Sequence, residues 1–305
     1  MKTRLTKGQL AAVLSVWALG LTLAACGGDP TEGEKSATDT ITVGSAAFPE
    51  NEIIAEIYIQ ALEAKDVKVE KKLNIGAREA YIPALKNGEI DLLPEYTGNL
   101  LLYVDKDATA TAPDDVVAAL GDALPEGLEI LEVSEAEDKD SLNVTPEFSE
   151  KEGVTSIADL KKVDGLRLGA NPEFKERPYG VPGMEKVYGI TDVKFTAISD
   201  SGGPATLKAL LDGKVDVANI YSTTPSILAN KLVTLEDPKN MIAAQQVVPL
   251  INSEKASDEV TEVLNSISAE LTTQDLLDLN SQNQGDDKVA PAELAKQWLA
   301  DKGLV

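Results

Sequence analysis

Histidine is absent from the chain and Cys26 is its only cysteine. Serine–histidine and cysteine–histidine nucleophile systems are therefore excluded, as are histidine-containing zinc or iron sites and an internal disulfide. Asp200-Ser201-Gly202-Gly203 has the look of a serine nucleophile's surroundings, but with no histidine as base it reads as a tight turn opening a helix. Residues 105–116 have the acids of a calcium loop but place Ala110 and Val116 where Gly and a closing acid belong, so no metal is expected there. Glu132, Glu135, Glu137, Asp138 and Asp140 read most simply as a solvated acidic loop. No Gly-rich phosphate or dinucleotide motif follows a strand, and neither a cofactor nor an enzymatic activity is expected.

One pair of segments carries a repeated pattern. Residues 85–97 read LKNGEIDLLPEYT and residues 210–222 read LLDGKVDVANIYS. Each gives a helix end, a Gly cap, Ile or Val, Asp, a short strand, and then Tyr96 or Tyr221 at the strand's carboxyl end. Open α/β sheets bind ligands at that end. Two such units imply two similar lobes, with the tyrosines facing each other across a cleft.

The surrounding elements fit this plan. Strand-like runs occur at 41–45, 67–73, 90–93, 128–133, 166–170, 193–198 and 215–220. Helical spacing occurs at 52–65, 77–86, 113–124 and 203–211, and in three pieces across 256–304. Strands alternating with helices mean an α/β protein with largely parallel sheets. A chain of 305 residues with 43% hydrophobic and 26% charged residues is an ordinary folded protein of two domains or two lobes. The formal net charge of −23 argues against nucleic acid as a partner.

The first 25 residues read as an address. Lys2, Arg4 and Lys7 precede an apolar run at 11–25, the layout of a secretory signal peptide. Leu23-Ala24-Ala25-Cys26, followed by Gly27-Gly28, looks like the lipobox of bacterial lipoproteins, in which the Cys is diacylated and becomes the mature N-terminus. Residues 26–40 then form a lipidated tether, and the lipid is the expected sole attachment to a membrane. The protein is expected on the outer face of the bacterial cytoplasmic membrane.

Three motifs resemble the glycine betaine/choline-binding lipoproteins of osmoprotectant ABC transporters. They are Pro94-Glu95-Tyr96-Thr97-Gly98; Asn171-Pro172-Glu173-Phe174 with Arg177-Pro178, Pro182-Gly183 and Val187-Tyr188-Gly189; and Tyr221-Ser222-Thr223 with Leu235-Glu236-Asp237. The resemblance runs over about residues 41–304. It implies a two-lobed periplasmic-binding-protein clamshell, type II-like, with two hinge crossings. Lobe I would comprise 41–142 plus 249–305, and lobe II 143–248.

In that family a trimethylammonium group sits in a tyrosine cage and an Arg clamps the ligand's carboxylate. The resemblance carries these roles to Tyr96, Tyr221 and Arg177. The chain departs elsewhere. Asp140 is the nearest match to one cage tyrosine, Gln245 stands for another, Asn99 replaces a Thr, and Ala46 replaces a frequent Lys. A methylated ammonium has no N–H to donate, whereas a primary or secondary one favours a carboxylate and an amide. The expected ligand is therefore a small zwitterion whose carboxylate meets Arg177 and whose nitrogen need not be fully methylated, such as an amino acid or a proline-like or ectoine-like solute. Tyr179 is a candidate substitute ring whose side chain nothing in the sequence places. The resemblance implies a monomeric solute-binding lipoprotein that serves ABC permease subunits. A ligand-sensing envelope lipoprotein with the same clamshell is the alternative.

Overall fold

The computed structural model describes residues 40–305; the signal segment, Cys26 and the tether before Thr40 lie outside the described residues. The first half runs β1 (Ile41–Gly44), α1 (Pro49–Glu63), β2 (Val69–Lys72), α2 (Arg78–Lys86), β3 (Leu92–Tyr96), α3 (Thr97–Val104), α4 (Pro113–Ala123) and β4 (Leu128–Ile130). Next come β5 (Asp140–Val144), α5 (Pro146–Glu152), β6 (Leu166–Ala170), the single turn α6 (Val181–Gly183), β7 (Val193–Ala197), α7 (Pro204–Leu211), β8 (Val217–Tyr221), α8 (Ser226–Ala229) and β9 (Val233–Thr234). The chain ends with β10 (Val247–Asn252) and the helices α9 (Asp258–Glu270), α10 (Thr273–Gln284) and α11 (Pro291–Lys302).

Two five-stranded sheets result, ordered β2-β1-β3-β10-β4 and β7-β6-β8-β5-β9. Each has three parallel strands followed by an antiparallel one. The repeated sequence pattern occupies the same place in both: β3 and β8 are the central strands. Its residues do the same work twice. Gly88 and Gly213 end their helices with φ of +70° and +66°, a conformation that Gly adopts without strain. Asp91 accepts a hydrogen bond from the Thr42 backbone N–H at 2.9 Å, and Asp216 accepts from Arg167 N–H at 2.9 Å. Each aspartate thereby fixes its strand against the parallel neighbour, and Tyr96 and Tyr221 follow at the same strand end.

Helix α1 is buried almost all round. Ile53, Ile57, Tyr58 and Leu62 pack with Leu264, Ile267, Leu276, Leu294 and Trp298 of α9, α10 and α11. At about 1.5–3 kcal/mol per fully buried large apolar side chain, this layer fixes α1 beside the first sheet. The opposite face of that sheet is covered by Ile82, Leu85, Leu101, Val116 and Leu120. Leu142, Leu166, Leu168, Phe174, Met184 and Val217 fill the core of the second sheet.

Strand membership changes between residues 130 and 140 and again between 234 and 247. The connecting segments lie side by side: Ser134 N–H donates to Val247 O at 3.0 Å, Val247 N–H to Ala136 O at 2.9 Å, and Asp138 N–H to Gln245 O at 3.1 Å. This corrects the reading of 132–140 as a solvated loop. The segment is extended, so alternate residues face inward, and Ser134, Ala136, Asp138 and Asp140 are buried while Glu135 is exposed. Residues 200–203 do form the turn that opens α7. The Asp200 carboxylate accepts from Ala205 N–H at 2.6 Å, Thr206 N–H at 3.0 Å and Thr206 Oγ1–H at 2.5 Å.

Candidate solute-binding site

Between the two sheets lies a cavity of about 220 Å³. That is below the ~300–1,000 Å³ typical of sites for drug-sized ligands, and suits a small solute. One part of its wall is aromatic. Tyr96 and Tyr221 stand at the carboxyl ends of β3 and β8, and Phe48 follows the carboxyl end of β1. The Phe48 ring centroid lies 6.0 Å from that of Tyr96 and 5.3 Å from that of Tyr221. Three parallel-strand ends thus deliver three neighbouring rings. The Tyr96 hydroxyl donates to Glu50 Oε1 at 2.8 Å.

Two arginines also reach the cavity, each with an acidic partner. Arg78 in α2 is buried and holds Glu95 by a fork, Nε to Oε1 and Nη2 to Oε2, both at 2.7 Å. The Tyr81 hydroxyl and the Tyr96 N–H also donate to Glu95, each at 2.8 Å. Arg177 comes from the other side of the cleft. Its Nη1 donates to the Tyr179 hydroxyl at 3.0 Å, and its Nη2 lies 3.0 Å from both carboxylate oxygens of Glu79 in α2. Tyr179 lines the cavity, and burial pushes its hydroxyl up to about 12.

Asp138 and Asp140 supply the acidic wall, since consecutive inward positions of the crossing segment bring both to the cavity. Burial pushes the Asp140 carboxyl above its usual range. Its Oδ2 accepts from Asn99 Nδ2 at 2.8 Å. Gln245 holds Asn99 in place: Gln245 Nε2 donates to Asn99 Oδ1 at 2.7 Å, and Gln245 Oε1 accepts from Asn99 N–H at 2.9 Å. The second contact satisfies one of the free N–H groups in the first turn of α3. Gly98 is needed beside it, because a Cβ there would lie 2.4 Å from Ala244 O.

Of the residues singled out in the sequence, Tyr96, Asn99, Asp140, Arg177 and Tyr221 meet around the cavity. Gln245 does not. It is fully buried behind Asn99, and its side chain is spent on that residue and on the end of α3 rather than on the wall. Phe48, Arg78, Tyr81 and Asp138 line the cavity without having been anticipated as site residues. Phe48 had a signal, being an aromatic just past the carboxyl end of the first strand. Asp138 had one too, two residues from Asp140 in an extended segment.

Two α/β lobes around a small cavity of rings, paired arginines and buried carboxylates define a clamshell solute-binding protein. The chain belongs to the family of substrate-binding domains of ABC-type glycine betaine transport systems, whose profile matches residues 39–301. It is 27% identical over 306 residues to the glycine betaine-binding protein YehZ of Escherichia coli K12, covering 95% of this chain and 98% of that protein. It is 25% identical to the carnitine transport binding protein OpuCC of Listeria monocytogenes, with 87% of each covered. Solved structures share the fold. One of a glycine betaine/carnitine/choline ABC transporter gives a TM-score of 0.67 at 23% identity, covering 87% of this chain and 99% of that one. Lactococcal OpuAC, closed on glycine betaine, gives 0.62 at 19% identity, covering 87% and 96%. The family is one of binding proteins rather than enzymes.

Proposed function

We propose that the chain is the extracytoplasmic solute receptor of an ABC importer, lipidated at Cys26 and held on the outer face of the cytoplasmic membrane. Its solute is a small zwitterionic or quaternary-ammonium compound of the glycine betaine, choline and proline class. The lobes built on the first and the second sheet close around it. The observation that carries this reading is the wall itself: Phe48, Tyr96 and Tyr221 cluster beside Asp138 and Asp140, and Arg177 lines the same cavity. Each ring can contribute roughly 0.5–2 kcal/mol to a cationic nitrogen. Asp140, held by Asn99, accepts from an ammonium that has N–H groups, and Arg177 takes the carboxylate.

Calorimetric titration of residues 40–305 with glycine betaine, choline, proline, ectoine and several amino acids tests this. Heat with a zwitterion is expected. Tighter binding of an ammonium-bearing zwitterion than of betaine supports the role given to Asp140, and preference for the methylated solutes removes it. Silence throughout refutes the solute class and favours a sensing lipoprotein with another ligand.

A further inference from the structure

Glu50 opens α1 and is 4% exposed. Its Oε1 accepts from the Tyr96 hydroxyl, and its Oε2 accepts from Thr223 Oγ1 at 2.5 Å and Asn280 Nδ2 at 2.6 Å. Asp138 is 6% exposed, and its Oδ1 accepts from Ser222 Oγ and Thr223 N–H, both at 3.1 Å. The two carboxyls meet at Thr223, whose hydroxyl donates to Glu50 and whose backbone N–H donates to Asp138. No salt bridge among the described residues includes either of them. The cations of the cavity wall are engaged elsewhere, Arg78 by Glu95 and Arg177 by Glu79, while Lys139 pairs with Glu137 at 3.3 Å.

The remaining groups around the pair add no positive charge. They are Tyr96 from β3, Asn51 from α1, Asn280 from α10, Ser222 and Thr223 after β8, and Asp140 and Tyr221 on the same stretch of cavity wall as Asp138. Two buried like charges held by one residue, with no cation between them, do not both ionise readily. We propose that Glu50 and Asp138 share one proton in the solute-free protein and release it to solvent when a cationic solute settles against Asp138 and Tyr96, which makes Glu50 a positioning residue for solute affinity. Burial pushes both carboxyls upward, and the Glu50 charge pushes Asp138 further. A cation on the wall acts in the opposite sense, so affinity rises with pH while the free pair still holds its proton. The limit for one proton is about tenfold per pH unit.

This inference rests on the cavity being a cation site, and two measurements separate its failure from failure of that reading. The first needs no ligand. Infrared spectroscopy of the free protein near neutral pH is expected to show a buried protonated carboxyl that Glu50→Gln removes; absence of that band overturns the shared proton. The second is titration with glycine betaine and choline in buffers of different ionisation heat. Neither solute exchanges a proton between about pH 5 and about pH 9, so any proton released comes from the protein. Close to one proton released by the wild type, and none by Glu50→Gln or Asp138→Asn, is expected. Binding with no release, or with the same release in both variants, overturns the proposal. If neither solute binds, the cation-site reading and the release step fall together, and the infrared band alone decides the shared proton.

Discussion

Glu79 already occupies Nη2 of the guanidinium that a solute carboxylate would need, so Glu79→Gln probes the clamp from the competitor's side. Arg177 Nη2 lies 3.0 Å from both Glu79 oxygens, with Arg177 13% exposed and Glu79 53% exposed. An ion pair with one well-solvated partner contributes about 0–1 kcal/mol. A solute carboxylate arriving at Arg177 gives up most of that amount, and also meets the like charge of Glu79. Removing the charge should therefore tighten glycine betaine about two- to fivefold, at roughly 1.4 kcal/mol per tenfold. Choline brings no carboxylate, so its affinity should hold or fall slightly. Arg177→Ala removes charge-assisted hydrogen bonds of about 1.5–3 kcal/mol and should weaken betaine about ten- to 150-fold while leaving choline within about twofold. Calorimetry of both variants with both solutes reads all four changes. Equal shifts for betaine and choline in Glu79→Gln would mean that Glu79 acts on lobe closure. Unchanged betaine affinity in Arg177→Ala would refute the clamp.

Three other outcomes follow from the geometry. Phe48→Ala removes the ring between Tyr96 and Tyr221 and should weaken a quaternary ammonium solute about two- to thirtyfold by calorimetry, from about 0.5–2 kcal/mol of cation–π attraction; equal affinity would exclude the ring from the cage. Arg78→Met leaves Glu95 buried without its cation and should cost about 3–5 kcal/mol in chemical denaturation, whereas a loss under ~1 kcal/mol would show that Tyr81 and the Tyr96 N–H suffice. Asp159 accepts backbone hydrogen bonds from Thr155 and Ser156 that hold its carboxyl down at about 2. Its depressed folded value means that the stability these hydrogen bonds contribute is fully present above the ordinary carboxylate range and is lost as pH falls through about 2; an NMR titration midpoint at the ordinary value would contradict this.

What was legible in the sequence is what repeats. The Gly–Asp–Tyr pattern named both central strands because each of its residues meets a local need: a left-handed helix end, a cap on the neighbouring strand, a strand end facing the ligand. The three C-terminal helices announced themselves through helical spacing. Strand β10 was hidden by Pro249, which ordinarily demotes a strand. It is tolerated here because its register partner is Pro94, so neither position has an N–H to donate to the other. Helix α3 was hidden as well, since TGNLLLYV carries no polar face and its first turn is satisfied by Gln245 from far along the chain. The same long-range contact explains the one site residue that lies off the wall. The family resemblance pointed to Gln245, and the packing of α3 against the crossing segment turns its side chain to Asn99.

The charge balance of the wall separates attraction from recognition. Each arginine there is matched by a glutamate, Arg78 by Glu95 and Arg177 by Glu79, while Asp138 and Asp140 form no salt bridge among the described residues. The arginines therefore offer a solute little uncompensated positive charge, and the two aspartates on the wall are open to a solute's cation. A solute's cation gains from both rings and carboxylates, whereas its carboxylate gains only what exceeds the contact it displaces at Glu79. Affinity should thus be set mainly at the cation and discrimination at the anion. Substitutions at Phe48, Tyr96, Asp138 or Asp140 should weaken zwitterions and simple cations together, and substitutions at Arg177 or Glu79 should change only their ratio. A variant set in which Arg177→Ala abolished choline binding as completely as betaine binding would show instead that the arginine closes the lobes on any solute.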